Sequence, residues 1–463
     1  MAVLAIAVFM SSLDLFIVNL AFPSIAHEYP GVGLGSLSWV LNAYTIVFAA
    51  VLIPAGRWAD QVGRRRALVM GLVLFTGGSL LCGLAPGVAW LVAARAVQAV
   101  GAGVMVPASL SLLLAVVPAE QRARALGSWS ALGALGAALG PVIGGGLVGI
   151  GWRWVFWVNL PVGIVAIVLA LRSVPESRDD AQRGGPDILG ALLLALAVGL
   201  VAGALVKAPD WGWASAAFLG TLVAAVLCGV ALVLRSARRL APVLELGLFR
   251  SRTFSGAGAA SVLYFAAFGA FVLNTVEFLT GVWHYSPVQA GLAIAPGPLM
   301  VLPFARLVAP RLIPLLGAVG RVAALGCGVS AVAQGLWLVL IQAEPDYLTH
   351  LLPAQLLGGA GVGLTIPSLL GAGSAGLPAA HFGTGSGILN MVRQVGTVLG
   401  VAGLVAALSV PAADPLTAFR HGVVLIIAFF VAAGAVCLAV LVRRVRPAPV
   451  VSALPDPRPQ QAA

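Results

Sequence analysis

Charge is what this chain has least of. Only 9% of its 463 residues are charged, where a soluble domain carries about 25%. That is too little to cover a water-facing surface, so a soluble globular fold is excluded. Lysine occurs once, at Lys207, beside 25 arginines. Cysteine is scarce: four in 463 residues, Cys82, Cys228, Cys327 and Cys437, which with the length excludes a short disulfide scaffold, and they form no CxxC pair. They lie in apolar runs and read as small packing residues. The histidines His27, His284, His350, His381 and His421 show no HxxxH or HExxH spacing. No metal site is expected, and a membrane-embedded enzyme is disfavoured. The phosphate-cradling GxxxxGKS/T loop is missing, so no nucleotide is expected to drive the protein. What the chain has instead is apolar residues, at 60%. Disorder is excluded, because it requires low hydrophobicity.

A membrane-crossing helix takes about 20 mostly apolar residues. Reading between charges, prolines and polar breaks gives fourteen spans: 1–22, 36–57, 67–85, 88–114, 125–148, 154–172, 187–206, 214–235, 254–281, 288–308, 319–341, 349–372, 384–409 and 419–442. The runs are continuous rather than alternating, which favours helices over barrel strands. Residues 1–10 lack a basic n-region and Asp14 interrupts the apolar run they begin, so they read as a first span rather than a signal peptide. With the N-terminus in the cytoplasm, 21 basic residues fall in inner loops and the tail and three (Arg153, Lys207, Arg420) in outer loops. Arg95 and Arg393 lie within spans. The asymmetry is a strong positive-inside signal. The net charge of +11 is then topogenic and meets lipid headgroups; no nucleic acid partner is expected.

The chain repeats itself. GxGxxxP at Gly101–Pro107 recurs at Gly361–Pro367, an offset of 260. The same offset carries Gly127, Gly136 and Gly140 onto Gly387, Gly396 and Gly400, and Asp14 onto Asn274. It maps span 1 onto 9, 4 onto 12 and 5 onto 13, so the halves are parallel. The expected architecture is an all-α polytopic membrane protein arranged 6 + 2 + 6. Residues 1–172 form one six-helix bundle and 173–186 a cytoplasmic loop. Residues 187–235 form two inserted helices and 236–253 a second loop. Residues 254–442 form the other bundle and 443–463 a Pro-rich tail. Parallel halves with a site between them are a transporter arrangement.

Several stretches carry chemistry. The tight turn after span 2, Gly56 to Arg66, holds Asp60, Gly63 and Arg64 as a loop that packs closely and pairs its charges. Span 4 carries Arg95 with Gln98 on the same face. An intramembrane charge is costly and marks function by default, the plainer reading being a structural arginine bonded to neighbouring carbonyls. Span 5 presents Gly133, Gly136, Gly140 and Gly144 on one stripe, with Pro141 inside and Gly145 next. Small residues admit close helix contact and Pro bends the helix, giving a pliable interface between bundles. Arg393 occupies the equivalent of Gly133, either as a site residue or as a lock between bundles. Asp14 in span 1 is the leading candidate for a coupling acid, because a carboxyl taken out of water holds its proton more tightly; the alternative is a packing role. Glu277, one turn beyond Asn274, is either a solvated mouth residue or a second site acid. Asn19, Trp39, Tyr44, Gln98, Asn274, Asn390 and Arg393 are candidates for a substrate cavity, with Tyr264 and Phe268 as further aromatics.

These stretches resemble the major facilitator superfamily. Gly56–Arg66 is similar to its GxLaDrxGrkxxL loop, Leu91–Gly103 to its lxxxRxxqGxgaa motif, and Gly136–Gly145 to its "antiporter" motif gxxxGPxxGG. Leu13–Pro23 resembles the LDxTIVNVALP signature of the 14-helix drug:proton antiporters (EmrB/QacA type), with Phe16 replacing the usual Thr. Trp152–Gly163, Asp187–Gly190 and Tyr285–Gly291 resemble further stretches of that group. The resemblance runs from residue 13 to about 400. It implies a proton-coupled exporter of small hydrophobic or amphipathic compounds working by alternating access, with a proton-coupled importer as the alternative. It implies proton transfer at Arg95, no cofactor beyond the proton gradient, and a monomer in a bacterial plasma membrane. The composition, rich in Ala, Gly and Arg, suggests a GC-rich genome.

Overall fold

The computed structural model describes residues 2–117, 122–178, 185–374, 377, 382–409 and 414–441. Arg183 and the 443–463 tail lie outside them. Every regular element among the described residues is helical, as a chain without water to satisfy its backbone requires. The first half holds α1 (Ala2–Glu28), α2 (Leu34–Val62), α3 (Arg64–Gly83), α4 (Val88–Val116), α5 (Arg122–Ile150), α6 (Trp154–Trp157) and α7 (Asn159–Ser173). Then come α8 (Ile188–Trp211) and α9 (Ala216–Arg238). The second half holds α10 (Arg252–Gly281), α11 (Pro287–Ile294), α12 (Pro296–Pro303), α13 (Ala309–Leu316), α14 (Val319–Leu340), α15 (Leu352–Ser374), α16 (Phe382–Leu408) and α17 (Pro415–Val440).

Among the described residues, thirteen helical stretches are long and apolar enough to cross a membrane. In α5 the described apolar stretch is Leu135–Ile150. Thirteen of the fourteen spans expected from the sequence correspond to these; the fifth, expected at 125–148, is matched only by this shorter stretch. The tenth departs most from expectation. Instead of ending at 308 it runs from Pro287 to Leu316, through α11, α12, a π-turn at Phe304–Val308 and α13. Pro296, Pro298, Pro303, Pro310 and Pro314 each remove a backbone donor, and the helix re-forms around the gaps. Arg306 and Arg311, expected in a loop, therefore lie in this helical run. Arg311 donates to Leu307 O at 2.7 Å, one turn back.

The internal repeat is visible in how helices cross. A Cβ at Gly101 (α4) would stand 2.8 Å from Gly71 O of α3; one at Gly361 (α15) would stand 2.8 Å from Gly326 O of α14. The same backbone-on-backbone contact thus occurs once in each half. Likewise Gly136 of α5 lies on α1, and Gly396 of α16 lies on α10 at Val262 O.

Of the pair that follows the first half, α9 packs mainly on α8, and α8 is not peripheral. Helix α8 packs on α2 and on α16, so it lies across the seam between halves. Its start is fixed by Asp187, which is buried. One carboxylate oxygen accepts from Gly190 N at 3.0 Å and from Arg235 Nε at 2.7 Å; the other accepts from Val243 N at 3.4 Å. Burial pushes this carboxyl upward, but hydrogen bonds from Arg235 and Gly190 outweigh it and hold it below the usual carboxylate range. Asp187→Asn leaves those donors short of an acceptor and is expected to cost about 1–3 kcal/mol, read as a lower melting midpoint. The contribution is complete above the unfolded value, about 3.9, and is lost as pH falls through the lower folded one.

Candidate functional site

Asp14 sits mid-way along α1, and the apolar residues around it give its charge no water. Its partner is Arg95 of α4, with Nη1 2.6 Å from Oδ2. The two side chains are 0% and 1% exposed, so the pair is sealed. Arg95 Nη1 also donates to Gln98 Oε1 at 2.7 Å. Gln98 Nε2 donates to Asp14 Oδ1 at 2.8 Å and to Ser79 Oγ of α3 at 2.7 Å. Asn159, opening α7, donates to Asp14 Oδ1 and to Ser79 Oγ, both at 3.3 Å. Arg95 Nε reaches Val40 O of α2 at 3.2 Å, and its guanidinium lies 4.0 Å from the Tyr44 ring centroid. Five helices of one half thus meet on a single ion pair. Both carboxylate oxygens are hydrogen-bonded and the charge is paired, which is the condition for burying it.

Three expectations change here. Asp14 is not a lone desolvated acid, because an arginine compensates it. Gln98 and Tyr44 do not line an open cavity: Gln98 is buried as the bridge of the network, and Tyr44 is buried beneath Arg95 and stacked on Phe48. Asn159 was not singled out from the sequence. Its signal was there, a polar residue in an apolar stretch beside Pro161, but only folding shows that it faces Asp14.

The loop between α2 and α3 is built as its residues suggest. Gly63 has φ +116°, which favours glycine. Asp60 accepts from Arg64 Nε at 2.6 Å. Arg65 N donates to Glu176 Oε1 at 3.0 Å and Arg64 Nη1 to Ser177 Oγ at 3.2 Å, so this turn is pinned to the segment after α7. Gly56 packs on Pro107 of α4.

The glycine stripe of α5 faces its own half. A Cβ at Gly136 would stand 2.6 Å from Phe9 O, at Gly140 2.6 Å from Phe16 Cβ, and at Gly144 2.8 Å from Ile17 Cγ1, all on α1. The seam between halves is made one residue on. A Cβ at Gly145 would stand 2.5 Å from Pro287 O, and Gly291 of α11 lies against Pro141 O. Pro141 sits within the helix, and its carbonyl gives this contact. The seam continues where Phe16 meets Phe268 at 6.0 Å between centroids.

The remaining candidates do not join the Asp14 cluster. Arg393 stays within the second half: it lies over Phe265 at 4.3 Å, donates to Asn390 Oδ1 at 3.1 Å, and shows no ion pair among the described residues. Asn274 is buried against Gly422, with neither amide atom bonded. Glu277 is half-buried, with Oε1 enclosed and unbonded. Trp39 turns to Gly203 of α8 rather than to a central space. Asn19 bonds back to Leu15 O at 2.8 Å. Tyr264 is buried against Ser330 and Phe430. No group of three or more potential metal ligands occurs among the described residues.

Apolar helices in two similarly packed sets, a seam of close glycine contacts and a sealed intramembrane ion pair define a multi-pass helical membrane transporter. The chain belongs to the Major Facilitator Superfamily, whose family model matches residues 4–401. It is 36% identical over 404 residues to the multidrug resistance protein Stp of Mycobacterium tuberculosis, covering 86% of this chain and 73% of that protein. It is 35% identical over 398 residues to the puromycin resistance protein of Streptomyces alboniger (84% and 77% covered). It is 33% identical over 405 residues to the methylenomycin A resistance protein of Bacillus subtilis (86% and 85%). Among solved structures, a peptide transporter POT in complex with sulfate aligns with a TM-score of 0.67 at 18% identity, over 94% of this chain and 93% of that one. This last likeness concerns the fold alone.

Proposed function

We propose that the protein is a proton-coupled exporter of small hydrophobic or amphipathic compounds, in a bacterial plasma membrane with the Arg64 end of the bundle in the cytoplasm. The observation that carries the reading is the sealed Asp14–Arg95 pair. Protonating Asp14 while the pair is intact leaves Arg95 an uncompensated buried cation, which is costly. A second conformation that hands Arg95 another acceptor, or admits water to it, takes the proton more readily. A proton then shifts the equilibrium by its differential affinity for the two states, and the halves hinge at the α5–α11 seam. Named relatives in drug and antibiotic resistance support export over import, and the seam glycines support rocking. Monomeric action and the absence of any cofactor beyond the proton gradient are part of the same reading.

The test is direction. In energised inside-out vesicles carrying the protein, a lipophilic antibiotic such as puromycin is expected to accumulate, and a protonophore to abolish the accumulation. Accumulation in right-side-out vesicles under the same gradient indicates import and removes the proposal.

A further inference from the structure

We infer that a pocket at the junction of α2, α9 and the segment leading to α10 binds the phosphate of an anionic phospholipid headgroup. The concavity has a volume of about 460 Å³. Arg57, at the end of α2, and Arg239 and Arg250, flanking the segment after α9, line it. Arg239 stands between it and a second concavity of about 410 Å³, which Arg235, Arg238 and the apolar Ala231 and Leu234 line. Five guanidinium groups therefore surround the two spaces. The carboxylates beside them are Glu245, which lines the first space, and Asp187, which orients Arg235 at 2.7 Å and lies 3.7 Å from Arg239. Five cations against two anions leave three positive charges over.

Positive charge on this face alone makes topology, not a site. Two further observations make one. Ser236 faces the first space and is only 5% exposed, yet its hydroxyl has no hydrogen-bond partner. A buried, unbonded hydroxyl beside arginines lacks an acceptor, which a phosphate oxygen supplies. The approach to the pocket is apolar as well. Leu227, Val230 and Leu234 of α9 stand exposed along the helix up to the arginines, and Leu240 is 99% exposed at the rim. Apolar surface leading to a cationic recess matches the two parts of a phospholipid, acyl chains along α9 and phosphate at its end. A soluble phosphate uses the recess but not the apolar track. The site joins the inserted pair to the first half through Arg57, so an occupied pocket ties α8 and α9 to α2.

Native mass spectrometry of the purified full chain tests this with phosphatidylglycerol against phosphatidylcholine. The wild type is expected to retain phosphatidylglycerol selectively. The double variant Arg238→Gln/Arg250→Gln removes exposed arginines with no ion pair among the described residues, and is expected to weaken retention about tenfold or more. Ser236→Ala is expected to weaken it less. Arg311→Gln/Arg321→Gln, basic residues elsewhere in the chain, is expected to leave it unchanged. A monodisperse gel-filtration profile and an unaltered melting midpoint without added lipid certify each variant; should the double variant misfold, Arg238→Gln alone carries the comparison. Equal retention by the double variant, or equal loss in the Arg311/Arg321 control, overturns the site. So does full displacement of the lipid by inorganic phosphate that itself binds the wild type, which assigns the recess to a soluble anion.

Discussion

Asp14→Asn is expected to bring proton-driven export to background and, at the same time, to lower the amount of folded protein. Both effects come from the same contact. The asparagine carries no ionisable proton, so the gradient has nothing to load. It also leaves Arg95 without its counter-ion in a site sealed from water. Breaking a buried pair from one side costs about 3–5 kcal/mol, a large part of the 5–15 kcal/mol that holds a typical domain. A coupling role and a packing role are separable by a second change. Asp14→Asn/Arg95→Gln removes both charges and is expected to recover most of the lost stability, read by thermal midpoint in detergent, while export stays at background. Asp14→Glu keeps the acid and is expected to keep partial pH-dependent transport. If the double variant exports like the wild type in response to a pH gradient, the pair is scaffolding and the proposed coupling is wrong.

Gly145→Ala is the second large effect expected, and it acts on conformation rather than on protonation. An added Cβ stands 2.5 Å from Pro287 O, so the halves must part at this point. Overpacking of this kind costs about 1–3 kcal/mol, and it is felt only in the conformation where α5 and α11 touch. The population of that state is expected to fall roughly tenfold for each 1.4 kcal/mol, with a corresponding drop in transport. Spin labels at Ile150 and Leu292, both exposed beside the seam, report the change as a longer distance distribution. Gly136→Ala is the control. Its Cβ meets Phe9 O of α1 at 2.6 Å, within the same half, so it is expected to lower the melting midpoint without moving the label distance. Matching distance shifts in both variants, or none in Gly145→Ala, contradict the assignment of the seam.

The residues that form the site were largely legible, but their relations were not. Asp14 and Arg95 are each conspicuous as charges in apolar runs, yet they are 81 positions apart and nothing in the sequence says that one answers the other. Gln98 shares a helical face with Arg95, which periodicity shows. Whether that face turns to an open cavity or to a sealed network depends on how α1, α3 and α7 close around it. The glycines of α5 announce close packing without naming the partner. A stripe at helical spacing has one face, and here that face is taken by α1, so the contact between halves passes to Gly145 and to the carbonyl of Pro141. Trp39 and Tyr264 went the same way: aromatic rings in apolar helices fill the nearest gap, and in both cases a neighbouring helix provided it.

What the sequence determined by itself is the helical, membrane-crossing character and the doubled pattern. These come from local composition and from an offset that counting reveals, since a backbone in lipid has to satisfy its own hydrogen bonds within each run. Tertiary structure decided which charges neutralise one another, which glycines lie on the seam, and that α8 bridges α2 and α16. Those are outcomes of packing between segments far apart in the chain, where the cost of an unpaired buried charge, more than any local preference, selects the arrangement.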